Sequence, residues 1–112
     1  MGATCLVIAS PPNSPEGRQA LELAEAFLAR FDTFALVLLQ DAVVLACRKQ
    51  PQETLETMER LLARGATLSV LLEDLALRGL ASAELLEPSV LMDYPGLAKL
   101  LADEPCQVIG CV

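Results

Sequence analysis

Five short apolar runs divide this chain, and each is parted from the next by a segment with helical signals. The runs are Thr4 to Ala9, Thr33 to Leu39, Ala66 to Leu72, Ser89 to Met92 and Cys106 to Val112. Most are continuously apolar rather than alternating, which predicts strands buried on both faces. Ser14 before Pro15 gives an N-cap and a proline at the first helical position. Ala20, Leu23, Ala24, Phe27 and Leu28 then recur at helical spacing towards Arg30. Asp41 to Cys47 begins a short helix, and the polar stretch Arg48 to Gln52 breaks the pattern. Glu53 to Arg64 is an amphipathic helix with Leu55, Met58, Leu61 and Leu62 inward, stopped by Gly65. Asp74 to Leu80 is a short helix ending at Gly79, with a second helical piece to Leu86, and Pro95 to Ala102 is the last helix. Strands buried on both faces need helices on both sides. The expected fold class is therefore α/β: a three-layer α/β/α domain around a mostly parallel sheet of about five strands. A length of 112 residues fits a single domain over residues 1–112.

The chain carries a net charge of −7 and no histidine. Its eight Lys and Arg are scattered, so direct nucleic-acid binding is not expected. Without histidine, one chain holds neither Ser-His-Asp nor Cys-His catalysis, nor a zinc site built on imidazole. Cysteines stand at 5, 47, 106 and 111 without a Cys-x-x-Cys pair. Zinc knuckles and thioredoxin-type motifs are thus absent from the sequence, and neither a metal nor a cofactor is expected. Met1 to Cys5 lacks the charged start of a signal peptide, and no apolar run is long enough to span a bilayer. A cytoplasmic protein with reduced thiols follows.

Parallel sheets place their sites at the carboxyl ends of the strands. Here those ends carry Ser10, Gln40-Asp41, Glu73-Asp74 and Asp93-Tyr94. The loop after the first run holds Pro11, Pro12, Pro15 and Glu16, which removes amide donors and adds a negative charge; nucleotide phosphate does not fit it. Asp74 and Asp93 also suit ordinary helix caps. Arg78 lies four residues after Asp74 on one helix face and is the nearest counter-charge. Gln40, Asp41, Glu73, Asp74 and Arg78 are the candidate binding residues. Cys47 and Cys111 are the candidate reactive thiols. Arg48 and Lys49 beside Cys47 would lower its pKa, whereas a helix C-terminus or a place in the core would raise it.

Gln40-Asp41, Glu73-Asp74-Leu75, Arg78-Gly79 and Asp93-Tyr94, in this order, resemble the DsrH/TusB family of sulfur-relay subunits within the DsrE/DsrF/DsrH-like superfamily. The resemblance runs from Leu36 to the C-terminus. It implies a subunit of a complex that passes persulfide sulfur between partners, in tRNA thiolation or in sulfur oxidation. The partners implied are DsrE/DsrF-like (TusC/TusD-like) subunits, or further copies of the chain. Relatives of the DsrE/TusD type carry their transfer cysteine at the end of the third strand, where this chain has Leu71. Some DsrH-type chains carry a cysteine in the first helix, where this chain has Ala20. Cys111 stands where such chains usually have a tryptophan. With both family thiol positions empty, the resemblance implies a structural or regulatory subunit. The alternative is a non-catalytic homo-oligomer of the same fold that binds a partner or a small ligand.

Overall fold

The computed structural model describes residues 4–30, 34–80, 84–103 and 107–111. Strand β1 (Thr4–Ile8) leads to helix α1 (Pro15–Leu28) and strand β2 (Phe34–Leu38). A 3-10 segment (Gln40–Ala46) precedes helix α2 (Gln52–Ala63), strand β3 (Thr67–Leu71) and the short helix α3 (Leu72–Leu77). Strand β4 (Ser89–Met92), helix α4 (Tyr94–Asp103) and strand β5 (Gln107–Cys111) complete it. The α/β alternation expected from the apolar runs is present.

The five strands form one sheet in the order β4-β3-β2-β1-β5, and every pairing is parallel. From β1 to β4 the chain steps one way across the sheet, then β5 returns to the far side of β1. Parallel crossovers are right-handed, so repeated steps in one direction stack their helices on one face, and the return crosses the other. Packing agrees. Leu6, Ile8, Leu36, Leu38, Leu68 and Val70 join one large core with residues of α1, the 3-10 segment, α2 and α3. Cys5, Val7 and Val37 form a small second core beneath Leu97 and Leu100 of α4. Both faces are covered, but unequally. Edge strand β4 is left with Val90 54% and Leu91 39% exposed.

Local chemistry sets the element ends. The Ser14 side chain accepts from the Gly17 amide at 3.0 Å and donates to the Pro11 carbonyl at 2.6 Å. Gly17 matters here because a Cβ at that position would lie 2.0 Å from the Pro11 oxygen. The proline loop therefore lies directly on the first turn of α1. Gly79 follows α3 with φ +67°, the left-handed conformation that ends helices.

Two expectations need correction. Glu84 keeps the helical geometry expected of the second piece, but that piece does not reach Leu86: Leu85 forms an isolated antiparallel bridge with Cys47, because the strand-like stretch after the 3-10 segment offers it a backbone partner. Residues 81–83 of that piece lie outside the described residues. Cys5, expected as a thiol, is disulfide-bonded, and its partner lies outside the described side chains. The order of runs along the chain gives no hint that β5 returns to lie beside β1 and Cys5.

Candidate functional site

Adjacent β2 and β3 bring their carboxyl ends together, and with them Gln40, Asp41, Asp74 and Arg78. Gln40 has φ +50°, a conformation a side chain other than glycine seldom adopts. Its amide donates to Asp74 Oδ2 at 2.7 Å. Asp74 is 6% exposed, so its charge is held largely out of water. Arg78 Nη1 donates to the Asp74 carbonyl at 3.1 Å and to Asp74 Oδ1 at 3.4 Å. Its Nε and Nη2 both donate to Asp41 Oδ1, at 3.1 and 2.8 Å. Arg78 thus clamps the tip of β2 to the start of α3. Both bonds to Asp41 fall on one oxygen, which leaves Asp41 Oδ2 without a protein donor among the described residues. Asp74 and Arg78 pair as their spacing suggests. Asp41 is the closer ion-pair partner at 2.8 Å, against 3.4 Å for Asp74.

Glu73 turns away from this cluster. Its Oε2 accepts from the Tyr94 amide at 3.2 Å, while Asp93 Oδ1 accepts from the Gly96 amide at 2.8 Å. Both carboxylates serve first-turn amides of α4, as helix caps do. Glu73 Oε1 is buried without a hydrogen-bond partner among the described residues. The acidic tips therefore separate into a clamp at β2–β3 and a capping pair at β4.

Cys47 closes the 3-10 segment and is 2% exposed. Its thiol faces the Val43 carbonyl at 3.9 Å. Burial raises its pKa above the ordinary value of 9.0, and the charge of Glu84 adds to the rise. The neighbouring cations have no opposite effect, because Arg48 and Lys49 project into solvent. Gln50, which the sequence does not single out, donates from Nε2 to the carbonyls of Leu45 and Cys47 at 2.9 and 2.6 Å, and so ties off the segment's C-terminal end. Cys111 ends β5, and its side chain lies outside the described residues. Leu71 and Ala20, at the two family thiol positions, are 2% and 0% exposed.

Next to the clamp lies a cleft of about 690 Å³. Its walls are the proline loop after β1, the 3-10 segment, the first turn of α2 and the residues following α3. Asp41 and Arg78 reach it, as do Arg18 and Glu53. Sequence reasoning missed Arg18 and Glu53. Neither stands at a strand tip, and only the packing of α1 and α2 on one face brings them to a common opening. Among the described residues no group of His, Cys, Asp and Glu could hold a metal ion. No described helix is long and apolar enough to cross a membrane.

A comparison with curated proteins finds no match. Among solved structures, the fold is similar to the YchN protein of E. coli, at 20% identity and a TM-score of 0.80 with all of both chains covered. It is also similar to MTH1491 of Methanobacterium thermoautotrophicum, a protein of unknown function, at 12% identity and a TM-score of 0.68 over 88% of each chain. The sequence matches the family described as DsrH like protein over residues 13–106. This chain belongs to the DsrH-like family, a family of sulfur-relay-type subunits.

Proposed function

We propose that this chain is a structural or regulatory subunit of a cytoplasmic persulfide-relay complex of the DsrEFH or TusBCD type. The observation that carries this reading is the state of the thiol positions. Persulfide transfer needs an accessible thiolate. Leu71 and Ala20 fill the family positions with buried apolar side chains, and Cys47 is buried with its ionisation disfavoured. In this reading the sulfur-carrying thiols belong to DsrE/DsrF-like partners. Gln40, Asp41 and Arg78, braced by Asp74, and Glu73, whose carboxylate meets the start of α4, then shape a surface those partners read.

The test is co-expression with DsrE- and DsrF-like proteins from the same genome, followed by loading with a persulfide donor and intact-mass measurement of each chain. The expected result is a co-purifying complex in which added sulfur appears on a partner and not on this chain. Failure to co-purify, or sulfur added to this chain, overturns the proposal. A second reading, self-association, is favoured by the apolar edge at Val90 and Leu91. A stable homo-oligomer that ignores both partners would establish it.

A further inference from the structure

The cleft beside the clamp holds four charged side chains, and their pairing is uneven. Arg78 pairs with Asp41 at 2.8 Å, through one oxygen of the carboxylate. Arg18 and Glu53 line the same cleft, yet neither has an ion-pair partner among the described residues. They are of opposite sign and form no ion pair with one another. The first turn of α2 adds amides with no side-chain cap, since its N-cap is Pro51. Most of the remaining lining is apolar, from Pro11, Pro12, Val44, Pro51 and Leu80, with Asn13 and Thr54 as its uncharged polar residues.

We infer that this cleft binds a small zwitterion of the amino-acid type. The carboxylate sits by Arg18 and the open α2 amides, the ammonium group by Glu53 and the free oxygen of Asp41, and the apolar side chain on the prolines and Leu80. Size agrees, because clefts of roughly 300–1,000 Å³ hold small molecules. Position agrees, because ligands of parallel sheets lie at the carboxyl ends of the strands. Charge decides the class. Two cations against two carboxylates give no net attraction for a polyanion, whereas a molecule carrying both charges meets both unpaired partners. The wall is preformed. The Pro11 carbonyl is held by the Ser14 amide and hydroxyl at 3.1 and 2.6 Å, and Gly17 lets the loop lie flat against α1. A rigid wall lowers the ordering cost of binding.

Calorimetric titration of the full chain with leucine, isoleucine, methionine and phenylalanine tests this, with isovalerate and isopentylamine as single-charge controls. At least one amino acid is expected to bind with a dissociation constant of about 0.1–1 mM, as suits so few atoms. Each control, and each of the exposed-residue variants Arg18→Gln and Glu53→Gln, is expected to weaken binding by about tenfold or more. Circular dichroism should show both variants folded. No saturable heat up to about 10 mM for any of the four overturns the site. Equal binding of isovalerate overturns the zwitterion. Unchanged affinity in both variants places any binding elsewhere and overturns the assignment. Because the titration needs neither partner proteins nor a sulfur donor, its failure leaves the relay reading standing.

Discussion

At the scale of single residues, Asp74 does most for the least. It is buried, it accepts the amide of a left-handed Gln40, and it pairs with Arg78. Removing it leaves the part-buried Gln40 amide without its acceptor and takes from Arg78 one of its two carboxylate partners, which costs about 1–3 kcal/mol. Asp41 carries the shorter bridge but is 58% exposed, so screening reduces its worth to about 1 kcal/mol or less. Urea denaturation should therefore rank Asp74→Ala as the most destabilised, with Asp74→Asn, which keeps an acceptor for Gln40, and Asp41→Ala both milder. A reversed order would show that the exposed bridge, not the buried acceptor, holds the tips together. Cys47 gives a second prediction at this scale. Its folded pKa is raised, so above about 9.0 the unfolded chain gives up the thiol proton while the folded chain keeps it. Stability contributed by the buried thiol is complete below 9.0 and lost as pH rises towards the folded value. The stability difference between the native chain and Cys47→Ala should shrink over that range, and brief iodoacetamide at neutral pH should leave Cys47 unlabelled. Of these features, the Asp74–Arg78 spacing was legible in the sequence. The Asp41–Arg78 bridge was not, because it needs β2 and β3 to be neighbours. The left-handed Gln40 was not either, because glutamine gives no sign of that conformation.

At the scale of elements, the chain reads well where one local cause dominates. Ser14 and Pro15 start α1 at the expected place, and the Gly65 stop follows the end of α2. Asp41 to Cys47, expected to start a helix, settles as a 3-10 segment over Gln40–Ala46. Its C-terminal end is tied by the Gln50 side chain and by the bridge from Leu85, neither of which is a local signal. The glycine inside α1 was equally opaque. A helical glycine usually costs stability, and only the structure shows the loop carbonyl against which it packs. Gly17→Ala therefore tests a collision against a propensity. Propensity alone predicts a gain of about 1 kcal/mol. The 2.0 Å approach to the Pro11 oxygen instead predicts a loss of about 1–3 kcal/mol, because the clashing atom is backbone and cannot rotate away. A lower midpoint in thermal unfolding confirms the contact, and a higher one shows the loop free to move.

For the whole molecule, sheet order decides what is left uncovered. Three crossovers pile α1, α2 and α3 onto one face, and a single helix returns across the other. β4, last of the one-way series, becomes an edge with apolar side chains on both sides, Val90 and Leu91, and the exposed Tyr94 follows it in the chain. The alternation of apolar runs predicted a buried parallel sheet, but gave no order, and without an order no edge could be named. Natural edge strands are protected by charge, proline or a covering element, and β4 itself has no charged residue. A partner should therefore complete this edge. The charge of −7 distinguishes the kinds of partner. Two copies of an acidic chain repel, so self-association should strengthen as salt rises from about 10 to 150 mM and shortens the screening length. A basic partner should bind more weakly over the same range. Lysine at both Val90 and Leu91 should abolish either association while leaving the circular dichroism spectrum unchanged, since both side chains are already partly exposed. Light scattering and sedimentation of the native and lysine-substituted chains at the two salt concentrations read all of these outcomes. Association that survives the substitutions would move the interface off β4, to the clamp and the strand tips around Asp41.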